Sequence, residues 1–509
     1  MNSSRLPPLI LVCIGLALET QIGIADNSSK VFLRFPKGFQ WFVGASAYQS
    51  EGTWNTHGKG ESIWDRFTHK YPGMVTDHSN ADIACDSYHK VEDDLRLLVE
   101  LGVPIYRFSL SWPRLLPTGF PDKPNQEGIY HYNYILRRLR QHNIVPHVTL
   151  HHFDLPQPLQ ELGGWLNESA SDWFANYADF CFKTYGSQVK FWYTVNQPHI
   201  MSQMGYEMGA FAPGIFDPVG VNFYLASKTQ MIAHGKTYQL YQRKYNTDGK
   251  GMLGPALDVV YTSPATNSPE DRAAADRGVQ WALGLYTHPI FSQTGGWPPI
   301  VKTLMANQTT PDGKSRLPAF TKQEIELLKG SADFLGINYY SSTLATPSPA
   351  NYTFIFKSIS DPKIITTTDP NWPIFGEPFR PMTPFALRSV FLWFTREYGR
   401  GWPLYVTENG VADPVDVHLN DSYRAEFYRQ HLVQVAKCID QDRLNIKGFG
   451  FWSFTDNYEW TAGYTKKYGI VSVNFNDPNR TRSPKGSFYW IRNVIRQNGI
   501  TAAVAEYLD

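Results

Sequence analysis

The sequence predicts an α/β protein: a single (β/α)8 barrel with extended loops at the C-terminal face of its strands. Three observations predict it. β-Prone apolar runs alternate along the chain with amphipathic stretches, the pattern of βα units on a parallel sheet. Eight such runs occur, the number that closes a barrel. The polar residues that punctuate them fall near the C-terminal ends of the runs, where barrels of this kind carry their chemistry.

In chain order the strand candidates are Phe39–Ser46, Pro104–Ser111, Val145–His151, Val189–Asn196, Met252–Tyr261, Asp333–Asn338, Leu404–Glu408 and Gly448–Phe454. The helical candidates begin with Lys90–Leu101, where Val91, Leu95 and Leu98 recur at helical spacing. They continue with Tyr130–His142, Asp172–Tyr185, Phe223–Tyr245, Phe385–Tyr398 and Tyr423–Asp442. Gln49, Arg107, His152, Gln197, Asn338, Glu408 and Trp452 stand near or just past seven of the strand ends. Ser341–Pro384, rich in Pro and Thr, reads as an extended loop over the barrel mouth without a helix.

Length and composition fit one large domain. The chain has 509 residues, 42% hydrophobic and 18% charged, enough for a large core, and α/β barrels run long as single domains. Lys and Arg number 47 against 46 for Asp and Glu, so no nucleic acid or anionic membrane is implied as partner. Aromatic residues make up 15%, which suits a large core and equally a site that stacks on sugar rings.

Arg5 precedes an apolar run, Leu9–Leu18, too short to span a bilayer, so residues 1–25 read as a secretory signal and 26–509 as the barrel. No second apolar run is long enough to cross a membrane, which predicts a soluble, extracellular chain. N-glycosylation triplets at Asn27, Asn167, Asn307, Asn351, Asn420 and Asn479 agree with export. Loss of Cys13 with the signal leaves Cys85, Cys181 and Cys438, without metal-ligand spacing, as structural or free thiols. Neither metal nor cofactor is expected.

Two segments carry the chemistry. Thr194-Val195-Asn196-Gln197-Pro198 and Tyr405-Val406-Thr407-Glu408-Asn409-Gly410 each follow a β-prone run and end in polar side chains. They resemble the two active-site motifs of glycoside hydrolase family 1, the β-glucosidase family, except that Gln197 stands where the family carries glutamate. The resemblance extends over about residues 31–498 and implies a retaining β-glycosidase acting on a small β-glycoside. It makes Glu408 the nucleophile, with Arg107 against it and Tyr340 donating to it. It assigns Gln49, His152, Asn196, Asn338, Trp452, Glu459 and Trp460 to the sugar. Phe153 occupies a position where tryptophan is usual. Lys466 and Tyr468 are similar to the phosphate-binding pair of the 6-phospho-glycosidases, but Glu459 at the sugar's 6-position would repel phosphate.

An amide is neither acid nor base near neutral pH, so Gln197 removes general acid–base help worth roughly 10²–10⁴-fold. Three readings follow. The first is a β-glycosidase whose turnover is weak or limited to good leaving groups. The second is a thioglucosidase, because plant myrosinases also carry glutamine here. That branch has a sulfate-binding arginine soon after the glutamine, where this chain has Ser202, Gln203 and Met204, and Arg243 has no place assignable from sequence. The third is a non-catalytic sugar- or protein-binding member comparable to the klotho branch, which the survival of the sugar-contacting positions opposes.

Overall fold

A computed structural model describes residues 30–375, 380–414 and 419–508. The expected signal, Cys13 and the acceptor Asn27 lie outside the described residues. The eight barrel strands are β1 (Gln40–Ala45), β2 (Ile105–Ser109), β3 (Val145–His151), β4 (Phe191–Asn196), β5 (Met252–Pro264), β6 (Leu335–Pro347), β7 (Leu404–Asn409) and β8 (Ile446–Trp452). Each pairs in parallel with the next, β8 returns to β1, and the β5–β6 pairing closes the ring. The (β/α)8 barrel is therefore the fold.

The principal helices are α1 (Val91–Leu101), α2 (Gln126–Gln141), α3 (Ala170–Tyr185), α4 (Asn222–Lys244), α5 (Pro269–Val279), α6 (Pro384–Tyr398), α7 (Ser422–Asp440) and α8 (Gly486–Gln497). Their ends follow local chemistry. In α1, acidic Glu92, Asp93 and Asp94 occupy the first turn and complement the helix dipole. The helix then stops at Gly102, whose φ of 71° is the left-handed conformation of a C-terminal cap. The α5 segment begins with Ser268 accepting from the Asp271 N–H and Pro269 in the first turn, a start signal present in the sequence but absent from the helical candidates.

Barrel strands covered on both faces need apolar side chains inside and out. Every residue of β4 is buried. Phe42, Ile105, Phe191, Tyr193, Phe334 and Tyr405 form an inner layer below the mouth. His147 stacks on Phe191 with ring centroids 3.9 Å apart, and the Arg107 guanidinium lies 4.8 Å over the Tyr193 ring. This layer is the floor on which the polar residues stand.

The expectation of a loop without helix over Ser341–Pro384 requires correction. The strand β6 runs on to Pro347, and Ile364–Thr367 folds back antiparallel to it, pairing Leu344 with Thr367 and Pro347 with Ile364. A one-turn helix, Lys357–Ser360, lies between them. The β-branched run Ile364-Ile365-Thr366-Thr367 suits a pleated strand and was hidden by its Pro- and Thr-rich surroundings.

Cys85, Cys181 and Cys438 are buried and free. Asn307, Asn351, Asn420 and Asn479 are exposed, while Asn167 is half-buried with its amide donating to the Leu162 carbonyl. Among the described residues no helix is long and apolar enough to cross a membrane.

Candidate active site

The C-terminal ends of the strands surround a cleft of about 460 Å³, within the usual range for small-molecule sites. Glu408 closes β7 and is 2% exposed at the bottom of this cleft. Its Oε1 accepts from Arg107 Nη1 at 2.6 Å and its Oε2 from the Tyr340 hydroxyl at 2.8 Å. Burial pushes the Glu408 carboxyl above the usual carboxylate range, while Arg107 and Tyr340 pull it back down. Arg107 thus favours the charged form, but burial outweighs it.

One arginine fixes the polarity of the network around this carboxylate. Arg107 can only donate, and its Nη2 lies 2.8 Å from Asn196 Oδ1. The Asn338 amide also donates to that oxygen, at 3.0 Å, while its own carbonyl accepts from Thr407 Oγ1 at 2.6 Å. Asn196 Nδ2 is then left to face His152 Nε2 at 3.1 Å. Nε2 must accept, so Nδ1 carries the ring proton. Burial and the nearby Arg107 charge hold His152 well below the ordinary histidine pKa, which keeps it neutral.

The second cluster comes from the segment after β8. Gln49, fully buried on a short helix beyond β1, donates to Asn457, to the Tyr458 carbonyl and to Glu459 Oε2, the last at 3.2 Å. Trp452 stacks against His152 with centroids 5.6 Å apart, and Trp460 stacks on Tyr48. Gly44 makes room for Trp452: a Cβ there would lie 2.9 Å from the indole. Beneath this segment Lys485 binds both Asp456 and Asp413, and Arg424 binds Asp413 and Asp421. Buried charges need such partners, and they tie the Trp452–Trp460 segment to α7 and α8.

Gln197 follows β4 directly and lies in the left-handed region, at φ 48° and ψ 58°. Pro198 disfavours the right-handed helical conformation at the preceding residue, and the Gln197 N–H is held by the Ala256 carbonyl at 2.8 Å. The amide is half-buried and lines the same cleft as Glu408. Among the described residues nothing binds its side chain.

The structure therefore brings Gln49, Arg107, His152, Asn196, Gln197, Asn338, Tyr340, Glu408, Trp452, Glu459 and Trp460 to one barrel mouth. Phe153 and Lys466 line the cleft as well. Tyr468 stands behind Tyr340, ring edge to face, and its hydroxyl accepts from Arg380. Arg243 is exposed on the last turn of α4, which leads to the opposite end of the barrel. Ser202 is buried against Gln230, and Gln203 binds Ser358.

Three groups of lining residues escaped the sequence reading. Ile200, Met204, Phe211 and Val260 give one wall of the cleft an apolar surface, and Arg380 lies at its edge. Asp258 lies among them, although an aspartate inside an apolar strand was a visible signal, since strands are poor in that residue. His199, just past Gln197, binds Asp258 Oδ2 at 3.2 Å.

A carboxylate gripped by a guanidinium and a phenol can attack an electrophilic carbon. An amide across the cleft can orient an oxygen by hydrogen bonding but cannot exchange a proton with it. The model of the family "Glycosyl hydrolase family 1" matches residues 32–500. Myrosinase 1 of Brevicoryne brassicae is 38% identical, over 91% of this chain and 98% of its own. Cytosolic beta-glucosidase of Homo sapiens is 37% identical, over 92% of this chain and 100% of its own. Among solved structures, a glutamate-to-glutamine mutant of a rice beta-glucosidase in a covalent complex with glucose aligns at a TM-score of 0.84. It is 34% identical and covers 90% of this chain and 98% of its own.

Proposed function

The chain belongs to glycosyl hydrolase family 1 and is a glycoside hydrolase of the β-glucosidase type, and from that premise we propose that it is a secreted retaining β-glycosidase for O-linked β-glucosides with good leaving groups. Glu408 is its nucleophile. The observation that carries this reading is the grip of Arg107 and Tyr340 on a buried carboxylate facing a half-buried amide. Glu408 attacks the anomeric carbon while the bond to the aglycone breaks. Asn196, His152, Gln49 and Glu459 hold the sugar hydroxyls, with Trp452 and Trp460 packing on the ring.

Gln197 cannot protonate the aglycone oxygen, so departure is fast only for groups that leave as stable anions. It also cannot deprotonate the water that releases the sugar, so the glucosyl-enzyme accumulates. The rice relative with a glutamate-to-glutamine change, holding glucose covalently, supports the view that a barrel of this family remains open to glucosylation after such a change. The N-terminal signal pattern and four exposed glycosylation triplets support secretion.

An activated 2-deoxy-2-fluoro-β-glucoside tests the proposal. The expected result is one added fluoroglucosyl mass on the peptide containing Glu408. Sugar binding without any adduct would replace the enzyme by a binding protein. Kinship with an aphid protein named Myrosinase 1 favours one other reading, a thioglucosidase, because the thiolate of an S-glycoside leaves without protonation. Faster glucosylation by an aryl S-glucoside than by the matching O-glucoside would decide for it.

A further inference from the structure

Asp258 occupies the cleft without a role in the reaction described so far. It is 7% exposed, lines the cleft beside Gln197, and belongs to the strand β5. The parallel registers pair Asp258 with Asn338 and Asn338 with Glu408. Two strand spacings, about 10 Å, therefore separate the Cα atoms of Asp258 and Glu408, and in-register neighbours project from the same face of the sheet. Since Asn196 pairs with Ala256 and the Gln197 N–H binds the Ala256 carbonyl, Asp258 stands one strand along from Gln197 and one residue nearer the mouth. It is the carboxylate of β5 on the amide's side of the cleft.

Its hydrogen bonding is half complete. Oδ2 accepts from His199 Nδ1, which must carry the proton because an aspartate oxygen only accepts. Oδ1 is buried and has no hydrogen-bond partner among the described residues. A buried carboxylate oxygen left without a donor is costly, and a water or substrate hydroxyl in the cleft would satisfy it. His199 is itself fixed, with Phe223 and Tyr286 edge-on to its ring. The pair thus offers an oriented proton acceptor next to an amide that cannot act as one.

We propose that Asp258, positioned by His199, is the general base that releases sugar from the Glu408 glucosyl-enzyme. This rests on the covalent reading above. In the step, a water oxygen forms a bond to the anomeric carbon as the bond from that carbon to the Glu408 oxygen breaks. The bonding pair returns to Glu408 as carboxylate, and the water proton passes to Asp258. Asp258 then gives that proton up to solvent, which restores the starting state.

The test separates the two half-reactions. With 2,4-dinitrophenyl β-glucoside the phenolate leaves unaided, and stopped-flow follows its burst, while quenched samples report release of glucose. Asp258→Asn should still give the burst but release glucose about 10²-fold more slowly, the lower end of what general base catalysis supplies. Azide, a nucleophile that needs no base, should recover the lost rate and yield β-glucosyl azide. His199→Gln should slow release by less and leave the burst in place. Asp258→Glu keeps the charge beside His199 and provides a second variant should the amide fail to fold; its displaced oxygens should also slow release. Parent-like release from any folded Asp258 variant overturns the proposal. A parent without any burst removes the covalent reading instead, and the base with it.

Discussion

Substituting glutamate for Gln197 should supply the proton donor that hydrolysis of alkyl glucosides needs. The two side chains are nearly isosteric, and no side-chain hydrogen bond among the described residues has to be broken. What changes is charge. Retaining enzymes of this chemistry hold their two carboxyl groups about 5 Å apart. At an effective dielectric constant near 20, two like charges at that distance repel by about 3.3 kcal/mol, or about 2.4 pKa units. A glutamate starting near 4.3 would rise toward about 6.7 from this repulsion alone, before Arg107 offsets part of the Glu408 charge and partial burial adds its own upward push. An acid of that strength is protonated when the aglycone must leave. Once Glu408 becomes a neutral ester the repulsion vanishes, and the same residue can accept a proton from water.

The expected gain in kcat/KM is on the order of 10²-fold or more for methyl or octyl β-glucoside and less for nitrophenyl β-glucoside. Azide should accelerate the parent more than the variant. The assay is the ratio of the two substrates measured on parent and variant side by side. A variant that folds normally and hydrolyses no alkyl glucoside would refute the reasoning, because the defect would then extend beyond position 197.

Glu459→Gln should weaken sugar recognition by roughly 1.5–3 kcal/mol, about 10- to 150-fold in the Kd of a neutral glucoside measured by calorimetry. Arg107→Met should move the acid limb of kcat/KM to higher pH, since Glu408 in the free enzyme would keep the upward push of burial without its counter-charge. The same variant should lose about 3–5 kcal/mol of stability at neutral pH. Urea titrations should find that deficit shrinking as pH falls through the raised pKa of the buried carboxyl, and gone by about pH 4, below the carboxyl's unfolded value. Cys85 has its thiol pushed up to about 12 by burial; iodoacetamide should leave the native protein unmodified, and peptide mass analysis should find Cys85, Cys181 and Cys438 alkylated only after denaturation.

The barrel was legible because its signal repeats. Val145–His151 matches β3 residue for residue, and the other strand candidates overlap the observed strands, since β-branched and aromatic runs bounded by turns leave little choice. The helical candidates ended near their observed limits for the same reason. The stretch from α5 to Phe291 was missed because Gly278, Gly284 and Pro289 interrupt its pattern, although the helix continues through a wide turn at Gln280–Gly284. The candidate site was legible as motifs contiguous in sequence, such as those around Gln197, Glu408 and Trp452. The pairing of Asp258 with His199 was not, because it exists only across the β4–β5 boundary. The upward push on Glu408 was equally hidden, since it depends on how much protein covers the carboxyl.

The prolongation of β5 and β6 beyond the ring has its own meaning for how the cleft changes. The two strands stay paired as far as Pro264 and Ala345, and Ile364–Thr367 adds a third strand at their edge. The wall that carries Val260, Ser341 and Thr343 is therefore sheet, already ordered before any ligand arrives. Preorganised backbone spares a complex the entropy of fixing a loop. Over evolutionary time such a wall is re-surfaced one side chain at a time, with alternate residues exchanged on a fixed trellis, so that preference for a new aglycone can be acquired without remodelling the chain that presents it.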